Sequence, residues 1–212
     1  EKFESKELIS ISLKKLGKIK DPNITIFNAD EFITPVYYNG FSYKEGKVDK
    51  ASGFFGNKHV YLFGKEKKPV KMQGRTFEST KFTAYALEVM EKAAAGGKVG
   101  WTIIRSYIEE FIGKTGLPGY KQIADLAKND INKLIEEIYL LYTKHNNSKI
   151  TLDEFSNKIN KDPYRLFSQY YNLLIVDVLE TNKGDKADKV FEGVYNHASS
   201  KIQNSSIYLK VS

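Results

Sequence analysis

At Thr76 the spacing of apolar residues changes from the two-residue alternation of strands to the three-and-four spacing of helices. That change constrains the fold more than any other feature of the 212-residue chain. Before it, "NITIF" (23–27), "HVYLF" (59–63) and "PVKMQ" (69–73) are rich in β-branched and aromatic residues. Asn39-Gly40 lies between two further β-rich runs and is the dipeptide favoured in tight hairpins, because both central residues take positive φ. The expectation is a strand at 23–27, a hairpin turning at Asn39-Gly40, and pairing of 59–63 with 69–73 across the loop 64–68. Residues 5–17 place Leu8, Ile9, Ile11, Leu13 and Leu16 at spacings that fit a short helix as well as a strand; the reading adopted is a helix stopped by Gly17.

After Thr76, Phe82, Tyr85, Ala86, Val89, Met90 and Ala93 predict a helix ending at Gly96-Gly97, and "VGWTIIRSYIEEFIGKTG" (99–116) predicts a second, closed by Gly113. Residues 120–144 keep one apolar face, which Asn129-Asp130 interrupts or restarts. Thr151 with Glu154 forms a capping box for a short helix, and Asp162 followed by Pro163 is a helix start, a side-chain cap and then proline at the first helical position. That helix is expected to run to about Leu179, with a last helix over 185–202 and a terminal strand "SIYLKV" (206–211). The chain therefore reads as α+β: a small antiparallel sheet in a basic β-rich region, 1–76, followed by five or six helices in 77–212 and a strand that is free to return to the sheet. No long Pro/Gly/Ser linker separates the two parts, so one continuous domain is the alternative.

Charge is concentrated in the first part. Residues 1–40 hold six lysines against six acids, 76–212 hold eighteen basic against seventeen acidic, and 41–75 hold nine against three, so six of the seven net positive charges fall in one sixth of the chain. A uniform taste for lysine, thirty against three arginines, would have spread them evenly. Within this segment, "GFFGNKHVYLFGKEKKPVKMQGR" (53–75) interleaves basic residues with aromatic rings. Phosphates attract lysines whatever the base sequence, and rings on a strand stack on exposed bases. The segment thus predicts a nucleic-acid surface made of Lys44, Lys47, Lys50, Lys58, Lys65, Lys67, Lys68, Lys71, Arg75, Phe54, Phe55 and Tyr61, largely indifferent to sequence because lysine is a point charge. The competing reading is that the rings alternate into a β core while the lysines solvate a loop and guard a sheet edge. The offsets of the rings do not match the RNA-recognition consensus.

A second surface is suggested by "ITLDEFSNKINKDPYRLFSQYYNLLI" (150–175), a short helix, a break and a longer helix in the outline of a helix-turn-helix. There Arg165, Ser168, Gln169 and Asn172 fall at i, i+3, i+4 and i+7, side chains of the types that read base edges. Any half-buried helix also shows a polar stripe to water.

Catalytic and metal signatures are weak. Ile150, Glu154 and Phe155 fit the end of an EF-hand loop, but Thr143, His145, Asn147 and Ser148 would occupy its ligand and turn-glycine positions. "GKTG" (113–116) lacks the earlier glycine of a phosphate-binding loop, and Asp177, Glu180 and Lys183 miss nuclease spacing by one residue. No cysteine is present, which excludes disulfides and thiolate chemistry, and the three histidines are dispersed. The expectation is a non-enzymatic protein without metal or cofactor that binds nucleic acid. The alternative is a self-assembling structural subunit of a viral, phage or mobile-element particle or ribonucleoprotein. No apolar run is long enough to span a bilayer and no leader opens the chain, so a cytoplasmic or virion-associated location is expected, with protein partners or self-association and no membrane contact.

Overall fold

The computed structural model describes residues 10–13, 24–27, 35–45, 53–65, 69–77, 84–91, 94–199 and 208–211. Five strands form an antiparallel meander: β3 (Tyr37–Ser42), β4 (Val60–Lys65), β5 (Pro69–Phe77), β6 (Ala84–Glu91) and β7 (Ala94–Gly100), paired in that order after the short β1 (Ser10–Leu13) and β2 (Ile24–Phe27). Six helices follow: α1 (Trp101–Ile112), α2 (Tyr120–Asn129), α3 (Ile131–Asn146), α4 (Leu152–Lys158), α5 (Pro163–Thr181) and α6 (Asp185–Ala198). The terminal strand, β8 (Tyr208–Val211), does not return to this sheet. It lies between β1, to which it runs parallel, and β2, to which it runs antiparallel. The class is α+β, as the two apolar periods predict.

The strand pairings overturn three expectations. Residues 10–13 are a strand rather than part of a helix; Ile11 and Leu13 alternate with serines, and strand period prevails once β8 supplies a partner. Asn39-Gly40 is not a turn but lies inside β3, where the register with β4 slips between Tyr38 and Gly40. Gly40 has φ 122°, so the glycine is needed for a bulge that adds a residue to one strand. Residues 84–100 are two strands, not a helix. Tyr85, Leu87 and Val89 are buried with period two as well as fitting helical spacing, and β5 on one side and β7 on the other settle the ambiguity. From Trp101 onward the helices lie close to the expected positions, the last stopping at Ala198.

The core centres on α5. Every residue from Leu166 to Leu179 is buried, the polar Ser168, Gln169, Asn172 and Asp177 among them, so this helix is enclosed rather than laid on a surface. α2 and α3 pack on one side of it, and α6 with strands β3 and β5 on the other. Seven of its aliphatic side chains, among them Leu166, Leu173, Ile175 and Leu179, each contribute about 1.5–3 kcal/mol of transfer free energy. Sheet and helices share one continuous core, with Tyr171 stacked on Tyr85 at 5.2 Å and edge-on to Trp101 at 4.7 Å.

Polar contacts pin the helices to one another. Asp177, 6 % exposed, accepts from Lys114 Nζ at 3.1 Å, His145 Nε2 at 2.8 Å, Lys144 and the Thr181 hydroxyl. Burial alone would raise its pKa, but the hydrogen bonds from His145, Lys144 and Lys114 outweigh it and hold the carboxyl well below the usual carboxylate range. Tyr38 ties the edge strand β3 to two helices, its amide donating to Asp188 at 2.8 Å and its hydroxyl to Glu180 at 3.0 Å.

Two measurements test this core. At Gly97 of β7 an added Cβ would run into the carbonyl of Ala198, backbone against backbone, so Gly97→Ala should cost about 3 kcal/mol in urea unfolding. Because the folded pKa of Asp177 is depressed, its stabilisation is complete above about pH 4 and is lost as pH falls below that. Asp177→Asn should flatten that acid decline. At pH 7 it should cost about 2 kcal/mol rather than more, since Lys114 and Lys144, 39 % and 52 % exposed, can turn to water.

Candidate nucleic-acid interface

The pairing register sorts the side chains of the five-stranded sheet onto two faces. Tyr38, Val60, Leu62, Gly64, Met72, Gly74, Tyr85, Leu87 and Val99 face the helices: a Cβ on Gly64 would meet Phe191 and Val36, and one on Gly74 would meet Tyr85 and Asn172. Alternation therefore places Tyr37, Tyr61, Phe63, Lys65, Lys71, Gln73, Arg75, Ala86, Glu88 and Lys98 on the opposite, outer face. Tyr61 and Phe63 thus share a face with Lys65, Lys71 and Arg75.

The charges on this face are arranged in rows across the strands. Glu88, 6 % exposed, lies between Arg75 Nε at 2.9 Å and Lys98 Nζ at 3.7 Å. The Arg75 contact is an ion pair without a well-aligned N–H bond, and Arg75 and Lys98 share the one Glu88 carboxylate. Lys71 Nζ is 5.7 Å from the Tyr61 ring centroid and 2.7 Å from Glu45 Oε1. Burial and, second, the Glu45 charge raise the Tyr61 phenol, which stays a neutral donor. His59, at the start of β4, is pushed down by burial and then by Lys58 and Arg75, so it is uncharged at neutral pH. Tyr37 is 58 % exposed and Phe63 half-buried, whereas only 9 % of Tyr61 reaches solvent.

Of the other expected residues, Lys44 and Lys58 are exposed, while Lys47, Lys50, Lys67 and Lys68 lie outside the described residues. Phe54 and Phe55 are not part of the face. Phe54 is 1 % exposed, with its ring 5.0 Å from Tyr43 and 4.6 Å from Tyr142; Phe55 packs on Tyr142 and Phe155 at 5.6 and 5.3 Å. The turn at Gly53, φ 99°, folds this segment inward against the helices. These two rings do belong to the core, but from a turn packed on α3 and α4 rather than by alternation along a strand.

The recognition-helix reading is also overturned. Ser168, Gln169 and Asn172 are no more than 1 % exposed and are spent on the backbone of residues 54–58. Ser168 Oγ donates to the Lys58 carbonyl at 2.7 Å, Asn172 Nδ2 to the same carbonyl at 3.0 Å, and Gln169 Nε2 to Phe54 O at 2.9 Å and Asn57 O at 3.3 Å. Arg165 Nη2 donates to Phe55 O at 2.7 Å. The i, i+3, i+4, i+7 stripe is real, but it satisfies a loop that would otherwise bury bare carbonyls. Asn172 also accepts from the Tyr85 hydroxyl at 3.0 Å, which carries the same network into the sheet.

Sequence reasoning misses Tyr37 and Lys98 because it reads a hairpin across Asn39-Gly40 and a helix across residues 78–93; with β6 and β7 assigned, alternation places Lys98 beside Glu88. Among the described residues no group of three or more His, Asp or Glu is placed to hold a metal ion, and no helix is long and apolar enough to cross a membrane. Comparison with protein-family models, curated proteins and solved structures finds no match.

Gln169→Ala would leave the carbonyls of Phe54 and Asn57 buried without this donor. It should lower stability by about 2 kcal/mol in chemical unfolding.

Proposed function

We propose that the outer face of the five-stranded sheet binds single-stranded nucleic acid with little sequence preference. The observation that carries the reading is the register, which gathers Tyr37, Tyr61 and Phe63 onto one face with Lys65, Lys71, Arg75 and Lys98. A strand face bearing rings and cations suits unpaired bases, whose π-faces stack on any aromatic side chain while lysines follow the phosphates. Three of these four cations, Lys71, Arg75 and Lys98, meet Glu45 or Glu88, so four positive charges stand against two negative ones among these six residues. The Lys71–Glu45 pair is half open to water and so is worth little, and a phosphate can replace its carboxylate at small cost.

Self-assembly through the same region is the second reading. It is favoured by β3, an edge strand that has no strand partner on its open side among the described residues and carries Tyr37 at 58 % exposure.

Fluorescence anisotropy with a labelled oligothymidylate, repeated across salt, tests the first reading. Affinity should fall steeply with salt. Lys65→Glu with Lys98→Glu should weaken binding and flatten the salt slope by roughly 0.7 for each phosphate no longer neutralised. Tyr37→Ala with Phe63→Ala should weaken it about tenfold and leave the slope unchanged. Affinity indifferent to both pairs would sink the proposal, and sedimentation showing an oligomer without nucleic acid would favour assembly.

A further inference from the structure

At the head of α5 an open cleft of about 310 Å³ is lined by Lys58, Thr76, Asn160, Asp162, Tyr164 and Arg165. Its volume is at the lower end of the roughly 300–1,000 Å³ typical of small-ligand sites. We propose that this cleft holds one nucleotide whose base carries an amino group: guanine, adenine or cytosine in preference to uracil or thymine. The inference rests on the nucleic-acid reading of the sheet: Thr76 pairs with Tyr85 on the helix-facing side, one residue beyond Arg75 of the outer face, so the cleft lies on the other side of β5 from that face.

Each part of a nucleotide finds a counterpart. The Tyr164 ring, 46 % exposed, is a large aromatic surface at the rim, on which one face of a base can stack. Asp162 uses one carboxylate oxygen, Oδ1, to cap α5 by accepting from the Arg165 amide at 2.9 Å. Its second oxygen makes no hydrogen bond among the described residues and can accept from an exocyclic amine. Asn160 Oδ1 accepts from the Asp162 amide at 2.9 Å, which orients the Asn160 side chain and leaves its NH₂ to donate to a base carbonyl or ring nitrogen. Uracil and thymine flank their single ring N–H with two carbonyls, which would be set against the carboxylate. For the phosphate, the cleft offers Lys58 and Arg165. The Arg165 guanidinium is held by its bond to Phe55 O, and its buried Nε has no hydrogen-bond partner among the described residues. A strand that leaves the outer face past Arg75 would be anchored here by one base, which adds a local preference to otherwise nonspecific binding.

Titration of the full chain with GMP, CMP, UMP and inorganic phosphate, followed by heteronuclear NMR, tests the cleft directly. GMP and CMP should bind about tenfold more tightly than UMP or phosphate. Tyr164→Ala should weaken GMP about tenfold. Asp162→Asn, which keeps a good helix cap, should erase the preference for GMP over UMP. Lys65→Glu with Lys98→Glu should leave all four affinities unchanged while weakening oligothymidylate. Equal affinity for GMP and UMP, or GMP binding untouched by Tyr164→Ala, would overturn the proposal. Oligothymidylate binding with silent mononucleotides would overturn the cleft alone, and the reverse result would overturn the sheet face while supporting the cleft.

Discussion

A helix can be buried on every side only if most of the polar groups it takes inward meet partners, and α5 takes in Ser168, Gln169, Asn172 and Asp177, of which only Gln169 Oε1 is left without a hydrogen bond among the described residues. The carbonyls of Phe54, Asn57 and Lys58 meet the first three, and Lys144 and His145 of α3 with Lys114 of the loop after α1 meet the fourth. This matching fixes the segment that leads into β4. With Lys58 held by two side chains, Val60 and Leu62 point at the helices, and the parity of the strand then sends Tyr61, Phe63 and Lys65 to the far side. The identity of the outer face is therefore set by hydrogen bonds made on the inner one.

The same arrangement divides the aromatic residues by task. Phe54, Phe55, Tyr142 and Phe155 close the end of the core near α4, and Tyr85, Trp101, Tyr120 and Tyr171 fill its middle. Tyr120 is itself tied down, donating to Tyr85 O at 2.8 Å and accepting from the Trp101 amide at 3.2 Å. Tyr37 and Phe63 on the sheet and Tyr164 at the helix head belong to neither cluster.

Most of the helical half was legible in the chain because its signals are local. The Thr151 and Asp162 caps, Pro163 and the left-handed Gly113 each act within one turn of the residues they punctuate, and the structure has them in those roles. The sheet was legible only where a strand had one period available. "AYALEVME" supports both periods, and its choice is made by β5 and β7, whose pairing lies outside any short window. The site was half legible for a related reason. Lysine clustering marks a region but not a face. The polar stripe of α5 has the same appearance whether it meets bases, water or a loop, and only the third dimension shows that residues 54–58 already occupy it.

The late position of α5 in the chain has a consequence for biosynthesis. β3 to β7 can zip up in order as neighbours emerge, since each pairs with the strand made just before it. The apolar face so formed, with Val60, Leu62, Met72 and Leu87, then waits for a helix that ends at Thr181, some eighty residues after β7 is complete. At ribosomal speeds that is on the order of ten seconds, long enough for a nascent-chain chaperone to occupy the surface before α5 does.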